Sequence, residues 1–374
     1  MTSALFSPLT VGEVTFDNRL VVAPMCQYSC VDGVPGDWHL MHLGNFAVSG
    51  AGLIFVEATG VEPRAPITPG CPGLWNDEQE EAFRRIINFC RQHGHGKLGI
   101  QLGHAGRKAS ARAPWDGSTS ISPDEDSGWQ TIGPSAIPFT PDWTTPTQMS
   151  LADINDVRDA FVASAIRAKR LGFDVLELHA AHGYLLSSFL SPLANKRDDN
   201  YGGSLENRMR FALEVVAAVR KIWPEDRVLC VRFNGTDWVE EGWSVDDSVE
   251  FARALKDAGC DMVHLSSGGN SPERPPVGPG TPGYQLPAAE RIKAEVGMPT
   301  IGVGYINDPH FAESVIADGR ADMVAMARGM LYDPRFAWHA AEALGAKIDY
   351  PPQYQRSVPE TWPNAFESRR KAAE

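Results

Sequence analysis

The feature that most constrains this chain is a rhythm: short continuous apolar runs alternate with amphipathic stretches along most of its 374 residues. Eight such runs stand out: Leu20–Ala23, Leu53–Ala58, Leu98–Leu102, Val175–Leu178, Val228–Phe233, Met262–Leu265, Thr300–Val303 and Met323–Met326. A strand apolar at consecutive positions is buried on both faces, as in a parallel sheet covered by crossover helices. The stretches between supply those helices, predicted over 39–49, 78–92, 151–171, 205–222, 245–257, 285–296, 309–318 and 334–344. Eight strand–helix units predict an α/β fold, a single closed (β/α)8 TIM barrel.

Local signals agree with that phase. Ser150 with Asp153, and Ser244 with Asp247, each pair a hydroxyl cap with an acid three residues on, the pattern of a capping box. Gly172, Gly259 and Gly319 follow helices, where a left-handed cap is easiest for glycine. Asp174, Asp261 and Asp322 then lead into the next strands. Three segments break the rhythm. Leu9–Asn18 alternates about Gly12-Glu13 and predicts a short N-terminal hairpin closing the barrel bottom. Residues 103–148 form an extended Gly/Pro/Ser-rich loop after the third strand, a length that points to function or mobility. From Tyr350 the chain is Pro-rich and ends in Arg369-Arg370-Lys371. The expected division is a barrel over 1–349 and a tail over 350–374, a subunit-interface segment with a disordered end.

Composition removes several function classes. A net charge of −13 gives no electrostatic support for nucleic acid or an acidic membrane. Met1–Thr10 carries no charged and then apolar leader, and no apolar run reaches about 18 residues. Six cysteines (Cys26, Cys30, Cys71, Cys90, Cys230, Cys260) are too few to staple a chain this long, and none forms a C-x-x-C pair. Reduced thiols in a cytoplasmic protein are expected.

In such barrels chemistry sits at the C-terminal ends of the strands. Those ends read Pro24-Met25-Cys26-x-Tyr28, Ala58-Thr59, Gln101-x-x-His104, His179-x-x-His182-x-Tyr184, Arg232, Ser266, Gly302-x-Gly304 and Ala327-Arg328. Imidazoles at the density of His179 and His182, beside the Tyr184 phenol, suit hydrogen bonding to one oxyanion. Two strand-end histidines satisfied by backbone groups would look the same. A zinc reading is weak, because the histidines are three apart with two alanines between and no acidic ligand; no metal is expected. Gly302-Val303-Gly304 and Ala327-Arg328 follow the last two strands, a common phosphate position in barrels. Arg232 ends a buried strand and needs a partner: a carboxylate such as Glu57 or Glu177, or a bound anionic heterocycle. Cys26 could be a small buried hydrophobe or, with a histidine as base, a nucleophile.

Taken together, these residues resemble the Old Yellow Enzyme family of FMN-dependent ene-reductases, from about Leu5 to Arg356. The resemblance is carried by Asn18-Arg19, Ala23-Pro24-Met25-Cys26-Gln27-Tyr28, Gln101-Leu102-x-His104-Ala105-Gly106-Arg107 and His179-Ala180-Ala181-His182-Gly183-Tyr184-Leu185. Ser191-Pro192-Leu193-x-Asn195-x-Arg197, Tyr201-Gly202-Gly203-Ser204-x-x-Asn207-Arg208 and Ala327-Arg328 extend it. Cys26, the His/His pair and Tyr354-Gln355-Arg356 look like the branch that holds the YqjM-type and xenobiotic-reductase enzymes.

The resemblance implies non-covalent FMN across the mouth, with NADPH or NADH as transient hydride donor. Pro24, Met25, Cys26, Ala58, Gln101 and Arg232 would meet the ring, and Val303, Gly304, Ala327 and Arg328 the phosphate. Cys26 would tune the flavin rather than attack substrate. His179 and His182 would hold the carbonyl oxygen of an α,β-unsaturated substrate, with Tyr28 as a further contact. Hydride would pass from flavin N5 to the β-carbon and Tyr184 would protonate the α-carbon; nitro compounds are a second substrate class. Arg356 would enter a neighbouring subunit's site, implying a homodimer or homotetramer. Alanine at position 327 departs from the usual Gly-Arg, and the tail beyond Arg356 is longer than is typical of the branch. The rival readings are a barrel aldolase or isomerase acting on a phosphorylated substrate, a dienoyl-CoA reductase-like enzyme with an iron–sulfur cluster, and a non-enzymatic scaffold. They lack, respectively, a strand-end lysine or base (Lys108 apart), clustered cysteines and a second domain, and any sign of a lost site.

Overall fold

A computed structural model of the protein describes residues 3–273, 275–277 and 280–363. Its strands are β1 (Leu9–Val11), β2 (Val14–Phe16), β3 (Leu20–Val22), β4 (Leu53–Gly60), β5 (Lys97–Gly103) and β6 (Ile132–Gly133). They continue as β7 (Thr147–Gln148), β8 (Val175–Ala180), β9 (Val228–Asn234), β10 (Met262–Ser266), β11 (Thr300–Gly302) and β12 (Met323–Met326). Eight of them close a barrel in the order β3-β4-β5-β8-β9-β10-β11-β12, and β12 pairs in parallel with β3. Every apolar run of the sequence is one of these barrel strands.

Alternation along each strand separates two cores. Leu176, Leu178, Leu229, Val231, Val263 and Leu265 face outward into the cluster packed under the helices. Val175, Val228, Cys230, Met262, Leu53 and Phe55 face inward and form a second cluster with Val11, Val14 and Phe16 of the hairpin. The hairpin β1–β2 therefore seals the N-terminal end of the barrel, as its alternation predicts.

The helix–Gly–x–Asp rhythm has a physical basis. Both expected capping boxes form, at Ser150–Asp153 and Ser244–Asp247. Gly172, Gly259 and Gly319 all have positive φ. The aspartates then accept from amides at the start of the preceding strands: Asp174 from Leu98 N (2.8 Å), Asp261 from Leu229 N (2.7 Å) and Asp322 from Thr300 N (2.9 Å). Each carboxylate locks one strand–helix unit to the next.

The 103–148 extension is anchored rather than loose, with β6 pairing β7 and Trp129 Nε1 donating to Arg64 O at 3.1 Å. In the tail, a 3-10 turn over Pro352–Ser357 sets the Tyr354 ring against Trp338 (5.9 Å between centroids). The expected disordered end, with Arg369-Arg370-Lys371, lies outside the described residues. Among the described residues no helix is long and apolar enough to cross a membrane.

Candidate active site

The inward-facing positions change character as each strand climbs toward its C-terminal end. On β8 they run Val175, Glu177, His179; on β9, Val228, Cys230, Arg232, Asn234; on β10, Met262, His264, Ser266. Register places His179 beside Arg232, and Arg232 beside His264. Pleat and pairing alone thus assemble a polar layer above an apolar floor.

Glu177 is the hinge of that layer and is fully buried. It accepts from Gln101 Nε2 at 2.6 Å and pairs with His264 Nδ1 at 2.7 Å. Burial pushes its carboxyl up, yet His264, Arg232 and Gln101 outweigh that and hold it below the usual range. Arg232, itself buried, forms no ion pair with Glu177 or Glu57, so the structural salt bridge offered as one of its partners does not exist. Its Nε has no hydrogen-bond partner among the described residues, nor have Ser267 Oγ and His264 Nε2.

His179 and His182 meet, with Nε2 of the first 3.3 Å from Nδ1 of the second. His179 Nδ1 accepts from Ala181 N (3.1 Å), which assigns its proton to Nε2. His182 Nε2 lies 2.6 Å from Ser266 Oγ, which reaches Gln285 Oε1 at 3.2 Å. Both imidazoles are held well below their ordinary value, first by burial and next by the Arg232 charge, so they are neutral. The Tyr184 ring stands edge-on to His179 (4.9 Å, 79°). Burial raises the Tyr184 phenol well above its usual value.

Strain fixes this corner. His182 adopts φ 61°, and Gly183 passes so close to the 269 backbone that a Cβ there would lie 2.0 Å from Gly269 O. Lys108, from the 103–148 extension, draws the two segments together by donating to His182 O (2.8 Å) and Gly269 O (3.1 Å). Its ammonium also lies 5.4 Å from the Tyr184 ring centroid. The lysine is a brace here, not the strand-end amine an aldolase would need.

A cavity of about 500 Å³ opens beside the histidines. Arg232, His182, Ser266, Ser267, Val303, Gly304, Ala327 and Arg328 line it. The first N–H groups of the turn starting at Arg328 have no intrahelical acceptor, and Arg328 is exposed without an ion pair among the described residues. A narrow crevice adjoins, lined by Ala58, His104, His179 and Tyr184.

On the third side are Cys26 and Tyr28, the latter at φ 52° with its ring against Trp115 (5.5 Å). Beneath them β4 carries a bulge between Val56 and Ala58, which leaves Glu57 out of register. Glu57 accepts from Gln27 N (2.8 Å) and faces His39 Nε2 (3.2 Å). The Cys26, Glu57 and Cys71 ligand atoms all lie within 4.8 Å of one another. Pro24 and Met25 continue from the end of β3 beside Ala23, which lines the large cavity. Arg356 is exposed on the tail turn and lines neither cavity. Lys108, Ser267, the Glu57 bulge and the Glu177–His264 pair were not singled out as site residues from sequence; only Lys108, placed right after a strand-end motif, gave a signal.

A family model described as the NADH:flavin oxidoreductase / NADH oxidase family matches residues 4–346. The chain belongs to that family, the Old Yellow Enzymes. An NADPH dehydrogenase of Geobacillus thermodenitrificans (strain NG80-2) is 44% identical over 358 residues, covering 95% of this chain and 99% of that protein. A structure of morphinone reductase in complex with tetrahydroNAD superposes with TM-score 0.76 at 28% identity, covering 93% of each chain. A 2-naphthoyl-CoA reductase complex superposes at TM-score 0.81 and 26% identity over 92% of this chain, which spans only 52% of that longer one.

The protein is therefore an FMN-dependent oxidoreductase that takes reducing equivalents from NADH or NADPH. Its residues fit the flavin. The orphaned Arg232 Nε and Ser267 Oγ front one cavity and can serve an acceptor-rich ring edge. At the cavity's other end, free backbone amides and an unpaired arginine suit a phosphate.

Proposed function

We propose that this enzyme reduces the activated C=C bond of α,β-unsaturated carbonyl compounds, with nitro compounds as a second class. The observation that carries the reading is the neutral His179–His182 pair with the Tyr184 phenol edge-on beside it. An enone oxygen replaces His182 Nδ1 as acceptor for the proton on His179 Nε2. Because the Ser266 hydroxyl can either accept from or donate to His182 Nε2, the His182 proton can move to Nδ1 and make a second donor. The two donors, held in a buried corner, strengthen as enolate charge grows on the oxygen. Tyr28 adds a contact to the same carbonyl. FMN held across the mouth would supply the hydride chemistry for the β-carbon, with NADPH or NADH as the source of the reducing equivalents. Tyr184, kept protonated by burial, gives its proton to the α-carbon.

The residues that hold the ring are Pro24, Met25, Cys26, Ala58, Gln101 and Arg232; those that hold the phosphate are Val303, Gly304, Ala327 and Arg328. Glu177 fixes the Gln101 amide and Lys108 fixes the His182 backbone, both as positioning residues. Residues 1–349 act as the catalytic barrel, and the 350–374 tail delivers Arg356 to a neighbouring copy in a homodimer or homotetramer. Its exposure, away from its own mouth, supports that role.

One cuvette tests the activity. Without oxygen, flavin absorbance should bleach on adding NADPH and return on adding cyclohexenone. Bands that bleach and stay bleached with enones and nitro compounds alike would overturn the substrate assignment while leaving the oxidoreductase intact.

A further inference from the structure

Beside the flavin-facing end of β3, the chain places two thiols within 4.8 Å of each other. Cys26 is the one cysteine of the six that is not buried, whereas Cys71 is 1% exposed directly behind it. The segments that carry them are stitched together. Cys30 N donates to Gly70 O at 2.9 Å, and a Cβ on Gly70 would lie 2.6 Å from Tyr28 O. Thr68 Oγ1 lies 3.4 Å from Cys71 Sγ and holds that side chain in place. The sulfurs and the Glu57 carboxylate lie within 4.8 Å of one another.

We propose that Cys26 and Cys71 form a reversible, peroxide-sensitive disulfide at the edge of the active site. Nothing in the reading of the reaction requires Cys71, so the pair is an additional device. Cys26 is the less buried of the two residues, and peroxide entering from the mouth meets it first. The O–O bond breaks as a sulfenic acid forms on Cys26, and one oxygen leaves as water. The Cys71 sulfur then attacks that sulfenic sulfur, closing the S–S bond and expelling the second oxygen as water. In sum the two thiols lose two electrons and two protons, and one hydrogen peroxide becomes two waters. A hydrogen bond between the sulfurs lowers the Cys71 thiol and raises Cys26, so Cys71 is the readier resolving thiolate. Glu57 argues against a metal ion here, because one of its oxygens is held by Gln27 N and the other faces His39.

Closing the bond removes the Cys26 thiol from the mouth, which slows flavin reduction; that consequence, unlike the disulfide itself, rests on the proposed flavin contact of Cys26. The test uses the FMN-loaded enzyme treated with hydrogen peroxide in the presence of a chelator, followed by alkylation, non-reducing digestion and mass spectrometry. The expected result is a peptide pair linked through Cys26 and Cys71, lost on dithiothreitol treatment. Flavin reduction by NADPH should slow several-fold and recover with the same reductant. Cys71→Ser should give no linked pair and no reductant-reversible slowing. Both thiols remaining free to alkylate after peroxide, or Cys26 over-oxidising without ever linking, would overturn the proposal, and that reading needs no variant to fold. A linked pair with unchanged flavin reduction would instead count against the flavin contact of Cys26.

Discussion

The floor and the mouth of this barrel are built by the same strands, yet they answer to opposite requirements. On β9, Val228 and Cys230 pack with hairpin residue Phe16, whereas Arg232 and Asn234 of the same strand face the mouth. The floor is closed by shape, filled by the apolar side chains of the strands and of the hairpin. The mouth buries Arg232 Nε, Ser267 Oγ and His264 Nε2 with no hydrogen-bond partner among the described residues. Unmet hydrogen-bonding capacity is costly in a folded protein. It persists where a ligand meets it. The difference teaches that stability resides at one end of each strand and chemistry at the other, with Glu177 at the division.

The sharpest way to break that division is to open the floor. Phe16→Ala removes a fully buried ring and should lower unfolding free energy by about 3–5 kcal/mol. Urea denaturation measures it. The folded fraction should keep its flavin spectrum and its enone turnover; an altered spectrum would mean that the floor supports the mouth directly. Next in size is Tyr184→Phe at the mouth. Losing the proposed proton donor should slow enone-dependent reoxidation of the flavin by about a hundredfold or more. Reduction by NADPH and the urea midpoint should barely move. Equal slowing of both half-reactions in stopped flow would show that the phenol shapes the pocket instead.

How far each end could be read from sequence follows the same division. The floor and the helical shell were legible because burial on both faces writes strands as continuous apolar runs, and because caps such as Ser150–Asp153 are local. The hairpin at 9–16 was legible by alternation. His179, His182, Tyr184 and Arg232 were legible as polar residues at strand ends. The links between them were not. Glu177 was read as a possible partner for Arg232, but register hands it to Gln101 and His264 instead. Glu57 is turned toward His39 by a bulge, an insertion defined only once β4 pairs β5. Cys71 reaches the site through long-range folding of a loop, for which no local spacing exists, and Lys108, although it follows a strand-end motif, finds its carbonyl partners only in the folded chain. Non-local pairing decides where a polar side chain points, and periodicity does not encode it.

A third change trades one end's rule for the other's. Arg232→Met replaces an unpaired buried cation with an apolar chain of similar length. The flavin-free protein should become more stable by about 1–3 kcal/mol, since the desolvation cost vanishes. FMN affinity, followed by fluorescence quenching on titration, should fall at least tenfold. A destabilised apoprotein would mean that the guanidinium has a structural partner after all.

The smallest expected effect separates the two ends by pH. His179 and His182 are held well below their ordinary value in the folded protein, whereas in the unfolded chain a histidine titrates near about 6.5. As pH falls through that range, the unfolded state takes up protons that the native state refuses. Native stability therefore declines on the acid side, by on the order of 1 kcal/mol per pH unit for each such imidazole. The contribution is fully present above about pH 6.5, because both states are then neutral. Replacing His179 with Leu should flatten the decline between about pH 6.5 and 5 in urea denaturation by one imidazole's share. Phe16→Ala should shift the whole profile down without changing its slope, since the ring it removes carries no titratable group. If the two variants gave parallel curves, the neutral state of His179 would be refuted, and with it the donor role proposed for the pair.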